Sequence, residues 1–298
     1  DEYKLLRLKE EIENKLLQTG TNYSVVKISM NDSNGIIIDI SVIDYTNIKL
    51  NKINIIGNKN YTTNELLSNF ISIEHGITSI FSKSNYDHGK YNHDLDKLKE
   101  FYLNNGYLNY SLVNSKVILT DNQRAVNIFI DIVEGDKFKF NNIEIIGDYP
   151  KDQVNISKIK NIINKDNVYS QSSVMLVKKY LEEQIIDLGF LNTIVEIEHS
   201  INNEDKVVDL VYKINTNKKY IINKINIKGN TFTHDELLRK DIRAFEGQTY
   251  SKTKLKYAES AWLRNGLAES VVINETIVDD NNVDIDISVV EPEKTRQI

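Results

Sequence analysis

Apolar and polar residues alternate strictly in four separate stretches of the chain. Ile36, Ile38, Ile40 and Val42 share one face of the first, and Val126, Ile128, Ile130 and Ile132 share one face of the second. Val208, Leu210, Tyr212 and Ile214 repeat the pattern, as do Val283, Ile285, Ile287 and Val289. A period of two belongs to a strand with one buried face and one wet face. Asp39, Asp131, Asp209 and Asp286 fall on the wet faces. Polar loops at Thr120-Asp121-Asn122-Gln123, Asn202-Asn203-Glu204-Asp205 and Asp279-Asp280-Asn281-Asn282 predict hairpins with preceding strands over Val113–Leu119, Thr193–Ile201 and Ser270–Val278.

Three shorter alternations end in glycine followed by Asn or Asp. Ile53 and Ile55 lead to Gly57-Asn58, Ile143 and Ile145 to Gly147-Asp148, and Ile225 and Ile227 to Gly229-Asn230. The glycines recur 90 and 82 residues apart. Self-similarity at that period describes a string of small like domains, each large enough for its own core.

Helix signals follow each glycine. Thr62-x-x-Glu65 and Thr233-x-x-Glu236 have the form of capping boxes, with Tyr61/Leu66 and Phe232/Leu237 at the flanking staple positions. The middle repeat, Val154 to Ile163, lacks the box. A second helix opens at Tyr86-Asp87, Tyr169-Ser170 and Tyr250-Ser251 and closes at Gly106, Gly189 and Gly266. Eight and four residues before each closing glycine stand Leu98 and Tyr102, Leu181 and Ile185, and Ala258 and Trp262, the last being the sole tryptophan and read as core. The same offsets before Gly20 give Ile12 and Leu16, so residues 1–20 read as the second helix of a truncated module. The module is strand, helix, helix, strand, strand, and the fold class is α+β.

Composition narrows the functions. With 298 residues and a net charge of −6, the chain lacks the basic balance that a nucleic-acid surface normally needs. No Cys is present, which removes disulfides and thiolate catalysis, and two prolines give no Pro-rich linker. No apolar run reaches the roughly 18 residues of a membrane-spanning helix. Asp1-Glu2-Tyr3-Lys4 opens into a charged amphipathic pattern, without a signal-peptide profile. There is no Gly-x-Ser-x-Gly elbow, phosphate-binding glycine loop or zinc motif, so no enzyme and no cofactor are expected. His75, His88 and His93, with Asp87 and Asp94, are residue types that bind zinc. Their spacing makes no ligand pair on one helical face, and solvent-exposed loop histidines are the simpler reading; no metal is expected.

The module order, with Gly-Asn after the first strand and Gly-Tyr or Gly-Phe after the second helix, resembles the POTRA family. Leu50-Asn51-Lys52-Ile53-Asn54-Ile55-Ile56-Gly57-Asn58 and Val133-Glu134-Gly135-Asp136-Lys137-Phe138 look like the starts of successive POTRA repeats. Leu238-Arg239-Lys240-Asp241-Ile242-Arg243-Ala244-Phe245-Glu246-Gly247 looks like the final POTRA domain of an outer-membrane barrel-assembly factor. The resemblance implies tandem three-stranded sheets, each covered by two helices. It places the end of a second POTRA domain at 1–45, a third at 46–134, a fourth at 135–215 and a fifth at 216–292, with 293–298 a tether toward a C-terminal β-barrel. It also implies a first domain and a signal peptide upstream. Two features depart from the family pattern: a long loop over His75–Asn85, and Leu267-Ala268 where an aromatic usually follows the glycine.

The implied function is a non-catalytic scaffold on the periplasmic face of the outer membrane of a Gram-negative bacterium. Its implied partners are unfolded outer-membrane protein precursors, a BamD-like lipoprotein, other accessory lipoproteins and the chain's own barrel, with no nucleic acid. The alternative is the POTRA region of a related transporter, of two-partner secretion or TamA-like kind; those relatives carry fewer such domains. In POTRA domains the strand matching Val113, Asn114, Ser115, Lys116, Val117, Ile118 and Leu119 lies at the sheet edge, where another chain can add by β-augmentation. The opposing reading is an edge guarded by charge, at Lys116 here and at Glu196 and Glu198 in the next module. Arg239, Arg243 and Glu246 are spaced i, i+4, i+7, a charged stripe on the first helix of the last module, beside an apolar stripe of Leu238, Ile242 and Phe245. Periodicity alone makes the charged stripe a solvated face; the resemblance implies a docking site for the lipoprotein.

Overall fold

The computed structural model describes residues 2–19, 23–31, 37–45, 48–73, 85–120, 125–163, 167–216 and 218–292. The chain opens with helix α1 (Glu2–Thr19) and an antiparallel hairpin of β1 (Tyr23–Asn31) and β2 (Ile37–Tyr45), with Val26 opposite Val42. Helix α1 packs on β1, and Val26 is fully buried. Three modules of one design follow. The first comprises β3 (Lys49–Ile56), α2 (Thr63–Leu67), α3 (His88–Asn104), β4 (Ser111–Leu119) and β5 (Ala125–Val133). The middle one comprises β6 (Lys139–Asp148), α4 (Ser157–Ile162), α5 (Gln171–Ile186), β7 (Ile194–Asn202) and β8 (Val207–Asn215). The last comprises β9 (Ile221–Lys228), α6 (Asp235–Arg239), α7 (Lys252–Arg264), β10 (Ser270–Ile277) and β11 (Asn282–Val290). These elements fall into two compact units, Asp1–Phe138 and Lys139–Ile298.

Every module places its last strand at the centre of a three-stranded sheet. The orders are β3-β5-β4, β6-β8-β7 and β10-β11-β9, the centre running parallel to the first strand and antiparallel to the second. That central position is why the strictest alternation in the sequence lies there: one face of β5, β8 and β11 is buried at every second residue. The second helices start as their sequences require. Asp87, Ser170 and Ser251 are extended, and their side chains accept from the backbone N–H of Lys90, Ser173 and Lys254. At Gly57, Gly147 and Gly229 the chain turns with φ of 96°, 120° and 91°. A Cβ there would lie 2.0–2.1 Å from the carbonyl oxygen of Ile132, Ile214 or Val289 on the neighbouring strand, so only glycine fits.

The cores sit between helices and sheet. Leu98 and Tyr102, Leu181 and Ile185, and Ala258 and Trp262 are all buried, the first and last pairs in clusters with residues of their central strands. Trp262 satisfies its indole N–H on the carbonyl of Leu238 at 3.1 Å, which ties α7 to α6. In the first module Tyr61 packs edge-on against Phe101, Tyr102 and Tyr107.

Two expectations change in the last module. The first capping box forms as read, Thr62 and Glu65 each serving the other's backbone. The second does not: α6 begins after His234, which makes no side-chain cap. Its turn is held instead by Glu291, whose carboxylate accepts from the N–H groups of Thr231, Phe232 and Thr233. Phe232 and Leu237 are both exposed, not buried as a staple would have them. Helix α6 also ends at Arg239, so Arg243 and Glu246 lie beyond it, and Phe245 is exposed while Leu238 and Ile242 are buried. In the middle module α4 starts without a side-chain cap after a short 3-10 turn at Lys151–Gln153. The long loop over His75–Asn85 lies outside the described residues except for Asn85, as does the side chain of Leu16.

Within the second unit, the middle and last modules are joined by directional contacts. The Tyr220 N–H donates to the Gly189 carbonyl at 2.8 Å. Asp187, at the end of α5, accepts from Ser251 Oγ and from the Thr253 N–H, both at 2.9 Å. Ile186 and Leu191 pack against the last core. The first full module ends with the same backbone device, the Phe138 N–H donating to the Gly106 carbonyl at 2.8 Å.

Candidate protein-binding edges

β4 is the outer strand of its sheet and pairs with β5. Its register slips between Leu112 and Asn114, leaving Val113 unmatched as a bulge, and then runs regularly from Asn114 opposite Asp131 to Leu119 opposite Val126. Val117 and Leu119 turn onto the core, whereas Leu112, Val113 and Ile118 are exposed. Val113 to Leu119 thus runs along the outer strand of its sheet and carries one charge, Lys116. β7 has the same position without a bulge, but carries Glu196 and Glu198, the latter paired with Lys213. A bulge and charges both discourage pairing, and β4 has the fewer charges.

The three charged residues of the last module are all exposed, and each has an intramolecular partner. Glu246 Oε1 accepts from the Ile225 N–H at 2.9 Å, and Arg239 donates to the Ile225 carbonyl at 3.1 Å. These two therefore meet at one residue on the free margin of β9 and close it. Arg239 is itself held by Asp235 at 2.6 Å. Arg243 instead stacks on a ring: its guanidinium carbon lies 3.4 Å from the centroid of Tyr257. The helical stripe does not exist, but two of its members converge by way of the sheet edge.

His88 lies on α3, with Nδ1 3.0 Å from the Tyr86 hydroxyl and Nε2 3.0 Å from the Asn92 amide. Burial pushes its pKa down despite neighbouring Asp87. Among the described residues no three His, Cys, Asp or Glu side chains converge as metal ligands.

Sequence reasoning missed a matched pair of acidic clamps. Glu134 is buried and accepts from the Asn60 N–H and side chain and from the Tyr102 hydroxyl, 2.9 Å away. Burial, then the bond to Glu134, raises the Tyr102 phenol far above its ordinary pKa. Glu291 does the same work for Thr231, Phe232 and Thr233. Desolvation pushes the Glu291 carboxyl up, but bonds from Thr233, Phe232 and Thr231 outweigh it and hold the pKa at about 2. The signal was present: each glutamate stands two residues after the last buried residue of its central strand, Ile132 or Val289. The middle module has Thr216 at that offset, its hydroxyl donating to the Asp148 carbonyl at 2.7 Å.

Repeated βααββ modules, each with its last strand at the centre of a three-stranded sheet, define a class of tandem-domain α+β protein. The family described as POTRA, surface antigen variable number repeat, matches residues 48–135 and 220–291, and the chain belongs to that family. It is 31% identical over 224 residues to the outer membrane protein assembly factor BamA of Buchnera aphidicola, spanning 75% of this chain and 36% of that protein. It is 25% identical over 233 residues to BamA of Neisseria meningitidis, spanning 77% of this chain and 29% of that protein. The chain thus spans about a third of the length of the curated relatives it matches. The crystal structure of Haemophilus influenzae BamA POTRA3-5 superposes with a TM-score of 0.64 at 20% identity, covering 82% of this chain and 96% of that one. That likeness establishes the fold.

Proposed function

We propose that the chain is the POTRA region of an outer-membrane protein assembly factor, acting on the periplasmic side of the outer membrane as a non-catalytic scaffold. Its domains run over 1–45, 46–134, 135–215 and 216–292. Unfolded barrel precursors add as a further strand to β4 along Val113–Leu119, because backbone bonds give affinity that tolerates many sequences. The observation that carries this reading is the outer position of β4 in its sheet, with a register regular from Asn114 and one charge along it. The test is hydrogen–deuterium exchange of the full chain with and without an unfolded barrel strand peptide. Protection of the amides of 113–119 supports the reading, and unchanged exchange there overturns it.

Arg239, Arg243 and Glu246 form the docking site for an accessory lipoprotein of the BamD kind. Since Glu246 also closes β9 at Ile225, Glu246→Lys changes the edge as well as the charge. Arg243→Glu reverses the charge and gives up the contact with Tyr257 without touching the Ile225 backbone, and is the cleaner probe. Both variants should lose co-purification with the lipoprotein; a normal yield with Arg243→Glu would remove Arg243 from the site.

A further inference from the structure

The three first strands are equivalent, yet one is left uncovered. Ile53, Ile143 and Ile225 stand opposite Ile128, Leu210 and Ile285 in the same parallel register. Ile53 and Ile225 are 3% exposed, whereas Ile143 is only partly buried, as is Ile145 two residues on. Between β6 and α4 lies a groove of about 250 Å³ lined by Phe140, Ile143, Ile145, Ile156, Ile159 and Lys160, among others. Its volume falls below the roughly 300 Å³ at which sites for whole small molecules begin, and suits individual side chains.

Among the described residues, the outward backbone beside the groove is also unbonded. In β9 the outward N–H and C=O of Ile225 are taken by Glu246 and Arg239. The corresponding groups of Ile143 have no hydrogen-bond partner among the described residues, and alternation turns those of Ile145 the same way. Lys160 stands at the rim with no ion pair among the described residues. Among the described residues, a strand margin without partners, an apolar pocket under it and one cation without an ion pair define a single occupant by complementarity.

We propose that β6 of the middle module is a second strand-acceptor site. It takes an extended peptide that pairs with the Ile143 and Ile145 backbone, seats an aliphatic side chain between Ile145, Ile156 and Ile159, and sets a carboxylate against Lys160. The inference rests on the strand-addition reading proposed for β4 and adds a separate site with its own chemistry.

The probe is a synthetic nonapeptide alternating leucine and threonine with one terminal aspartate, together with its backbone N-methylated form, titrated into the full chain. Binding should shift the amide resonances of Ile143 and Ile145, and N-methylation should abolish it. Ile156→Glu should weaken binding by about tenfold or more. Lys160→Glu should weaken it by about fivefold, with recovery when the peptide's aspartate becomes lysine. Both positions lie at the groove margin, and urea denaturation checks that each variant keeps wild-type stability. Binding undiminished by N-methylation, or insensitive to both variants, overturns the proposal. Sodium decanoate displacing the peptide, with no shift of the β6 amides by the peptide itself, reassigns the groove to an acyl chain and likewise overturns it. Shifts at β4 without shifts at β6 sink this inference and leave the β4 reading standing; the converse sinks the β4 reading alone.

Discussion

The middle and last modules share strand order, register and turn glycine, yet they treat the margin of the first strand in opposite ways. In the last module Arg239 and Glu246 reach back to Ile225 and occupy both of its outward backbone groups. In the middle module Ile143 is partly exposed, above an apolar groove beside α4. The clamps differ too, with Glu291 in one and Thr216 in the other. A repeated fold can therefore hold its core constant while individual side chains at one edge decide whether that edge is closed or receptive. It is the edge chemistry, rather than the βααββ frame, that distinguishes one module from the next.

The largest effects should come from the parts the modules share. Trp262→Ala should cost about 3–5 kcal/mol, since the ring is fully buried and its N–H holds Leu238. Ile185→Ala, at the matching middle position, should cost about 2–4 kcal/mol. Urea denaturation read module by module through amide exchange separates the two. Loss of protection spread equally over both modules in either variant would show that they do not unfold as distinct cores.

Next come the turn glycines. Gly229→Ala should cost about 3 kcal/mol, because the new methyl meets the Val289 carbonyl and φ is strained. Gly266→Ala should cost only about 1 kcal/mol, since a Cβ there meets nothing within 4 Å and only the left-handed φ is penalised. Equal midpoints for the two variants would remove close approach as the reason for the conserved geometry of the strand turn.

The joint within the second unit should respond more modestly. Asp187→Ala removes a carboxylate that receives both the Ser251 hydroxyl and a first-turn N–H of α7, at a cost of about 1 kcal/mol. Combined with Ser251→Ala the loss should be less than additive, as the two share one bond. Strict additivity in a double-mutant cycle would show that they act separately.

The smallest effect is a pH dependence. Glu291 has its folded pKa at about 2 against an ordinary 4.5. The folded state thus binds the proton less readily than the unfolded state, and the stabilisation is complete above pH 4.5 and lost as pH falls toward 2. Glu291→Gln should flatten the acid limb of the last module's stability over that window. The middle module, with Thr216 in that place, should show no matching contribution from the position. An unchanged acid limb in the variant would remove Glu291 as the titrating group.

Much of the frame was legible in the residues. Period-two alternation located the central strands because burial on one face leaves no other pattern, and Asp87, Ser170 and Ser251 announced their helices because an N-cap is a local bond. Thr233 and Glu236 misled for the same reason: Glu291, some 55 or more residues away, outcompetes a local cap, and a spacing rule sees only near neighbours. The stripe of Arg239, Arg243 and Glu246 failed likewise, since helical period cannot report that α6 stops at Arg239.

By itself the sequence determined the repeat, the order of elements, the turn glycines and the residues of each core. All of these follow from burial periodicity and short-range backbone bonding, which are written along the chain. Only the tertiary structure decided which strand margins are closed and which are open. That choice depends on side chains from distant segments arriving at particular backbone atoms, and such meetings have no period to betray them.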